Sequence, residues 1–141
     1  MNLANIIEPV KIIAKFQAIE AALKILITQK LIKIDKLSGT EKESYTIDEL
    51  DDLPYGQLLK RFKIVFGQDD GVQQIHTKLL ALKDTRNYFA HKSLLAESSL
   101  PEQTKKFIRV DTIHKFDYKT LNDDLDSNIY QLCSMMRHFS S

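Results

Sequence analysis

The sequence predicts an all-α protein, a compact bundle of four or five helices forming one domain over residues 1–141. Three observations carry that prediction. Apolar residues recur at spacings of three and four over long stretches, no alternating strand-like run bounded by hairpin turns occurs, and no internal repeat divides the chain. With 141 residues, 43% of them hydrophobic, the chain suffices for one ordinary core rather than two.

The first helix is expected from about Ile6 to Ile34, where Ile12, Phe16, Ile19, Leu23 and Leu26 lay an apolar stripe along one side. Residues 35–45 turn polar around Ser38, Gly39 and Thr40 and read as a surface loop. Thr46 and Glu49 have capping-box spacing, Pro54 suits the first turn of the following helix, and Gly67 suits its end. Between them Leu58, Leu59, Phe62, Val65 and Phe66 form the apolar side. Asp70 and Gln73 repeat the capping-box spacing, opening a third helix from about Gly71 to Ala96 with no internal glycine or proline. Pro101 marks a break, and the mixed, basic stretch from Glu102 to Lys119 reads as helix interspersed with loop. In the last helix Leu121, Leu125, Ile129, Leu132, Met136 and Phe139 form one core-facing stripe.

Bulk properties narrow the function. Twenty Lys and Arg against nineteen Asp and Glu leave a net charge of +1, so any basic surface for nucleic acid must be local. Glu8, Lys11, Lys15, Glu20 and Lys24 interrupt the apolar N-terminal region well short of the ~20 residues that a membrane span needs, and no secretory h-region is present. A cytoplasmic protein without a membrane partner is the expectation. The single Cys133 has no second thiol to pair with and reads as a buried, inert side chain. His76, His114 and His138 lack metal-ligand spacing, so no metal site is expected. A glycine-rich phosphate loop, a Gly-x-Ser-x-Gly elbow and a Cys-His nucleophile pattern are all missing, and no cofactor is expected.

One segment of the third helix departs from the ordinary pattern. At about 100° per residue, Ile75, Leu79, Leu82 and Phe89 share a side, and Arg86 falls in the middle of it. A permanently charged guanidinium there must snorkel to water, find a carboxylate, or hold its charge for an anion. Asp84, Asn87 and His91 form a neighbouring polar stripe at spacings of three and four, suited to mutual hydrogen bonding. Arg86 and His91 are about 140° apart on a regular helix. They line one cleft only if the helix borders a groove, is distorted at its end, or meets a second copy.

The run Leu82-Lys83-Asp84-Thr85-Arg86-Asn87-Tyr88-Phe89-Ala90-His91 resembles the Arg-(four to six residues)-His motif of the HEPN superfamily, including the frequent Asn after the Arg. In that family the motif sits late on a long helix of a compact bundle, followed by a loop and a further helix. The Pro54-Tyr55-Gly56-Gln57-Leu58-Leu59 segment is similar to the start of the preceding helix in several HEPN groups. The resemblance covers about ten residues in sequence and most of the chain in architecture.

It implies an RNA endonuclease that needs no metal and works as a homodimer, with two motifs facing each other across a composite cleft. His91 would serve as general acid or base, moving a proton at the ribose 2′-hydroxyl or the departing 5′-oxygen, a contribution of roughly 10²- to 10⁴-fold. Arg86 would stabilise the charge that builds on phosphorus, its planar fork matching phosphate oxygens. Asn87, and less directly Asp84, would orient the imidazole or contact the phosphate. Intramolecular 2′-oxygen attack would leave 2′,3′-cyclic phosphate and 5′-hydroxyl ends. Tyr88 is the candidate for stacking on a base, because Phe89 lies on the core stripe. Lys92, Lys105, Lys106, Arg109, Lys115 and Lys119 are candidates for the RNA backbone, although such a basic run is more often a solvated face. Small stand-alone members of the family imply a toxin or defence component, restrained by an antitoxin or a nucleotidyltransferase-type partner.

Two other readings stand beside this one. In the first, the bundle is a non-catalytic binding or dimerisation module, neutralised by or paired with a nucleotidyltransferase-type partner. In the second, the motif is accidental, Arg86 is a structural ion-pair partner, His91 is a partly exposed histidine near a helix end, and the chain is a helical adaptor.

Overall fold

The structure, a computed structural model, describes residues 4–38, 50–67, 69–91 and 117–140. These residues form five helices: α1 (Ala4–Ser38), α2 (Tyr55–Phe66), α3 (Asp70–Ala81), α4 (Lys83–His91) and α5 (Tyr118–Ser140). No strand occurs among the described residues, as the all-α expectation required.

The central column is α1, packed along α5 and α2 with α4 laid against it, while α3 bridges α2 and α5. Contacts between α1 and α5 rise together in number: Glu8 accepts from Asn122, Lys15 pairs with Asp126, and Lys30 and Lys33 lie over the Phe139 ring. The two helices therefore run parallel. The same ordering relates α1 to α2, through Phe16 against Tyr55 and Lys30 over Phe66. Gly67 reverses the chain, so α3 returns antiparallel to α2. Its φ of 61° is left-handed, its N–H caps the Lys63 carbonyl, and glycine bears that conformation without a Cβ penalty.

The core sits between these helices. Ile12, Phe16, Ile19, Leu23 and Leu26 of α1 are buried as the periodicity predicts, and so are Leu58, Leu59, Phe62 and Phe66 of α2. On α5, Leu121, Leu125 and Leu132 are buried, while Ile129, Met136 and Phe139 pack half-buried against them. Cys133 is half-buried rather than fully buried.

Four boundaries differ from the expectation. First, α1 runs on to Ser38, past the expected end at Ile34, because the first strong helix breaker beyond Ile34 is Gly39. Second, the cap of α3 is Asp69, not Asp70: its carboxylate accepts from the N–H groups of Gly71 and Val72.

Third, Pro54 occupies the cap position of α2 rather than its first turn. Fourth, the single long third helix is two helices, α3 and α4, separated at Leu82. There φ is −89° and ψ is 0°, and the Leu82 N–H bonds three residues back to Leu79. The Tyr55 hydroxyl also donates to the Leu79 carbonyl, at 2.7 Å. A side chain inserted into the helical ladder is a recognised cause of kinks, and it comes here from another helix. Thr46 and Glu49, residues 92–96 and the stretch 102–116 lie outside the described residues.

Candidate functional site

The kink gives the motif its own short helix. α4 restarts when the Arg86 N–H bonds to the Leu82 carbonyl at 2.8 Å, and it carries Asp84, Arg86, Asn87, Tyr88 and His91 within nine residues. Phe89 and Tyr88 anchor it: both are buried, their rings meet edge-on at 5.3 Å, and Phe89 also meets Tyr118 of α5 at 6.2 Å.

Arg86 lies half-buried on the apolar side, as its place in the stripe requires, and it finds a carboxylate. Glu20 of α1 takes Nε at 2.8 Å and Nη2 at 2.6 Å, both on Oε1. About a fifth of each side chain remains exposed, 21% for Arg86 and 18% for Glu20, so the pair is screened less than a surface ion pair. Nη1 reaches Asn87 Oδ1 at a long 3.5 Å. The guanidinium also lies 5.9 Å from the centre of the Tyr55 ring, within reach of its quadrupole. Burial pushes the Tyr55 hydroxyl well above its ordinary value; the Glu20 carboxylate adds to that and the Arg86 cation opposes it. Tyr55 is thus neutral, donating to Leu79 and presenting its ring to Arg86.

Beside the pair is a cavity of about 150 Å³, bordered by Phe16, Gln17 and Glu20 of α1 and by Arg86, Phe89 and Ala90 of α4. It is largely apolar, with Arg86, Glu20 and Gln17 as its polar elements. Because Glu20 holds one edge of the guanidinium fork, an anion entering here meets a partly matched cation on the edge that includes Nη1.

His91 is placed differently. It ends α4 with its ring exposed, where the helix dipole favours a positive charge. Among the described residues no hydrogen bond or ion pair joins it to Arg86, and the two point to different sides of α4, as a separation of five residues dictates. The expected hydrogen-bonded stripe of Asp84, Asn87 and His91 does not form: Asp84 and His91 are exposed, and the Asn87 amide oxygen turns to Arg86.

Tyr88 is only 8% exposed, its ring edge-on to Phe89, so a base stacks on it only if that packing opens. Lys92, Lys105, Lys106, Arg109 and Lys115 lie outside the described residues, and Lys119 is exposed on α5. Among the described residues no group of three His, Cys, Asp or Glu side chains could hold a metal ion, and no helix is long and apolar enough to cross a membrane.

Glu20 and Tyr55 are site residues that motif reading missed. A signal for Glu20 existed: it is a carboxylate on the edge of the α1 core stripe, the acidic counterpart of an arginine inside the core stripe of the motif helix. The fold and the site together define a helical bundle with a short Arg- and His-bearing helix on its surface. Compared with protein-family models, curated proteins and solved structures, the chain gives no match.

Proposed function

We propose that this chain is a HEPN-type, metal-independent endoribonuclease acting in the cytoplasm, with Arg86 and His91 as its working pair and a toxin or defence role restrained by a partner. The supporting observation is a division of labour on α4: a guanidinium fixed by Glu20 and Asn87, and a solvent-exposed imidazole at the same helix's end. A fixed cation and an accessible proton carrier are what 2′-oxygen attack on a phosphodiester needs. His91 moves the proton, Arg86 offsets the charge developing on the phosphoryl oxygens, and the products carry 2′,3′-cyclic phosphate and 5′-hydroxyl ends.

The 2.6 Å Glu20–Arg86 contact favours a second reading, a binding or adaptor bundle in which Arg86 is structural and its charge already matched. One experiment separates the two. Wild type and His91→Ala protein are incubated with total RNA in excess chelator, and the fragment ends are identified. Cleavage by wild type alone, with cyclic-phosphate ends, supports the nuclease. No cleavage by either protein favours the binding module, and cleavage that appears only when a divalent ion is restored overturns the metal-independent reading.

A further inference from the structure

The cations of the described surface are not alike. Lys11, Lys15, Lys24 and Arg86 each pair with a carboxylate. Lys60 and Lys63 of α2 and Lys83 of α4 are exposed, and among the described residues none of the three takes part in a hydrogen bond or an ion pair. They also stand in a row. Gly56, Lys60 and Lys63 follow one another at spacings of four and three, which at about 100° per residue puts them within an arc of roughly 60° on the side of α2 turned from the core. Lys83 heads the row: a Cβ added at Gly56 would stand 3.2 Å from its Nζ, so the ammonium rests against bare α2 backbone. Arg86 comes next, one turn along α4 from Lys83, with its guanidinium 5.9 Å from the ring of Tyr55, the residue before Gly56.

No acid interrupts the row. α2 contains no Asp or Glu, and Asp84, beside Lys83 in sequence, lies about 100° away around α4. Surfaces ordinarily intersperse the two signs of charge, because like charges side by side repel. The field reaches a neighbouring helix: His76 of α3, disfavoured as a cation first by burial, is disfavoured further by Lys63. In a chain of net charge +1, this is a local concentration of unmatched positive charge that begins at the motif arginine. From Gly56 to Lys63 the row rises ~10 Å, and a stacked strand carries one charge per ~3.4 Å, so it faces about three phosphates. Ile64 is the one large apolar side chain exposed on α2, too little for the apolar centre that a protein interface needs.

We propose that Lys83, Lys60 and Lys63 form a binding surface for the RNA backbone, continuing from Arg86 along α2. On α4 the order Lys83, Arg86, His91 sets Arg86 between the row and the exposed imidazole. The row therefore holds the phosphates on one side of the bond that is cut. Such contacts position the strand without reading its bases. The inference rests on the ribonuclease reading for the identity of the polyanion, while the affinity of the row for a phosphodiester backbone is measured without any cleavage.

The test is binding of a fluorescent 2′-O-methyl RNA of about twelve nucleotides, which offers the backbone but no 2′-hydroxyl to attack, followed by anisotropy at several salt concentrations. Wild type is expected to bind with a Kd of about 1–100 µM. Lys60→Ala/Lys63→Ala/Lys83→Ala is expected to bind at least about tenfold more weakly near about 0.1 M salt, and to lower the slope of log K against log salt by about two, at ~0.7 per phosphate contact. All three positions are exposed on helices and alanine suits a helix, so circular dichroism should not change. Lys11→Ala/Lys15→Ala/Lys24→Ala, which removes the same charge from α1, is expected to bind nearly as wild type does. A wild type without affinity, a row variant that binds like wild type, or equal losses in the two triple variants overturns the proposal. Polyglutamate of equal charge that binds more tightly than the RNA assigns the row to an acidic protein instead. If binding is lost with the row but wild type cuts no natural RNA, the nuclease reading falls and the surface stands; cleavage that survives unchanged in the row variant does the reverse.

Discussion

Glu20 of α1 and Arg86 of α4, 66 positions apart in sequence, meet at 2.6 Å and join the motif helix to the central column of the bundle. Because each is only about one-fifth exposed, removing either partner leaves the other with a poorly hydrated charge. Glu20→Gln is therefore expected to lose about 1–3 kcal/mol of stability, less than a fully buried pair costs when broken. Glu20→Gln/Arg86→Met should recover most of that loss. Urea unfolding of wild type, Glu20→Gln, Arg86→Met and the double variant measures the coupling, and additive losses would mean that the contact does not hold α4 to α1.

The two motif residues are expected to separate under mutation. His91 is exposed and bonded to nothing among the described residues, so His91→Ala should change stability by less than about 0.5 kcal/mol while lowering RNA cleavage by roughly 10²-fold or more. Arg86→Ala should lose both activity and stability. Pairing the chelator assay with unfolding curves distinguishes them. A His91→Ala protein as active as wild type removes the imidazole from the chemistry.

A third expectation concerns the start of α3. Asp69 accepts from two otherwise unpaired N–H groups, so Asp69→Ala should lose about 1 kcal/mol. Asp70, exposed in the first turn and favoured only by the helix dipole, should lose a few tenths on the same change. Thermal melts of both variants decide the matter; equal losses would contradict the cap assignment.

What the sequence made legible, and what it did not, follows from the range of the interactions involved. The α5 stripe, the Gly67 turn and the anomaly of Arg86 inside an apolar side are written in spacings of three and four or in one residue's backbone preference, so local rules reach them. The break at Leu82 has no local sign: no glycine or proline is there, and the cause is the hydroxyl of Tyr55, which becomes a neighbour only after folding. Glu20 was a visible carboxylate without a visible partner for the same reason. Tyr88 reads as a stacking residue by type, while its burial beside Phe89 is set by packing that residue type does not reveal. Ile7, Val10 and Ile32, exposed on α1, lie in the same periodic stretch as its buried residues, and periodicity alone does not say which apolar side the rest of the chain covers.

The last expectation is a pH dependence centred on His76, which is 8% exposed and lies outside the motif. Burial lowers its affinity for a proton below the ordinary value near 6.5, nearby Lys63 adds to that, and the Leu59 carbonyl partly opposes it. In the unfolded chain His76 takes up its proton near pH 6.5, while in the fold it resists until lower pH. Between those two points the unfolded state binds more protons, so stability rises with pH. The contribution is complete above about pH 6.5 and is lost as the pH falls toward the depressed folded value. Urea midpoints at about pH 7.5 and pH 5 should therefore fall further for wild type than for His76→Gln, whose side chain has no proton to gain. Equal falls in the two proteins would show that carboxylates alone, Asp117 among them with its carboxyl held low chiefly by the Thr120 hydroxyl and N–H, set the acid side of the stability curve.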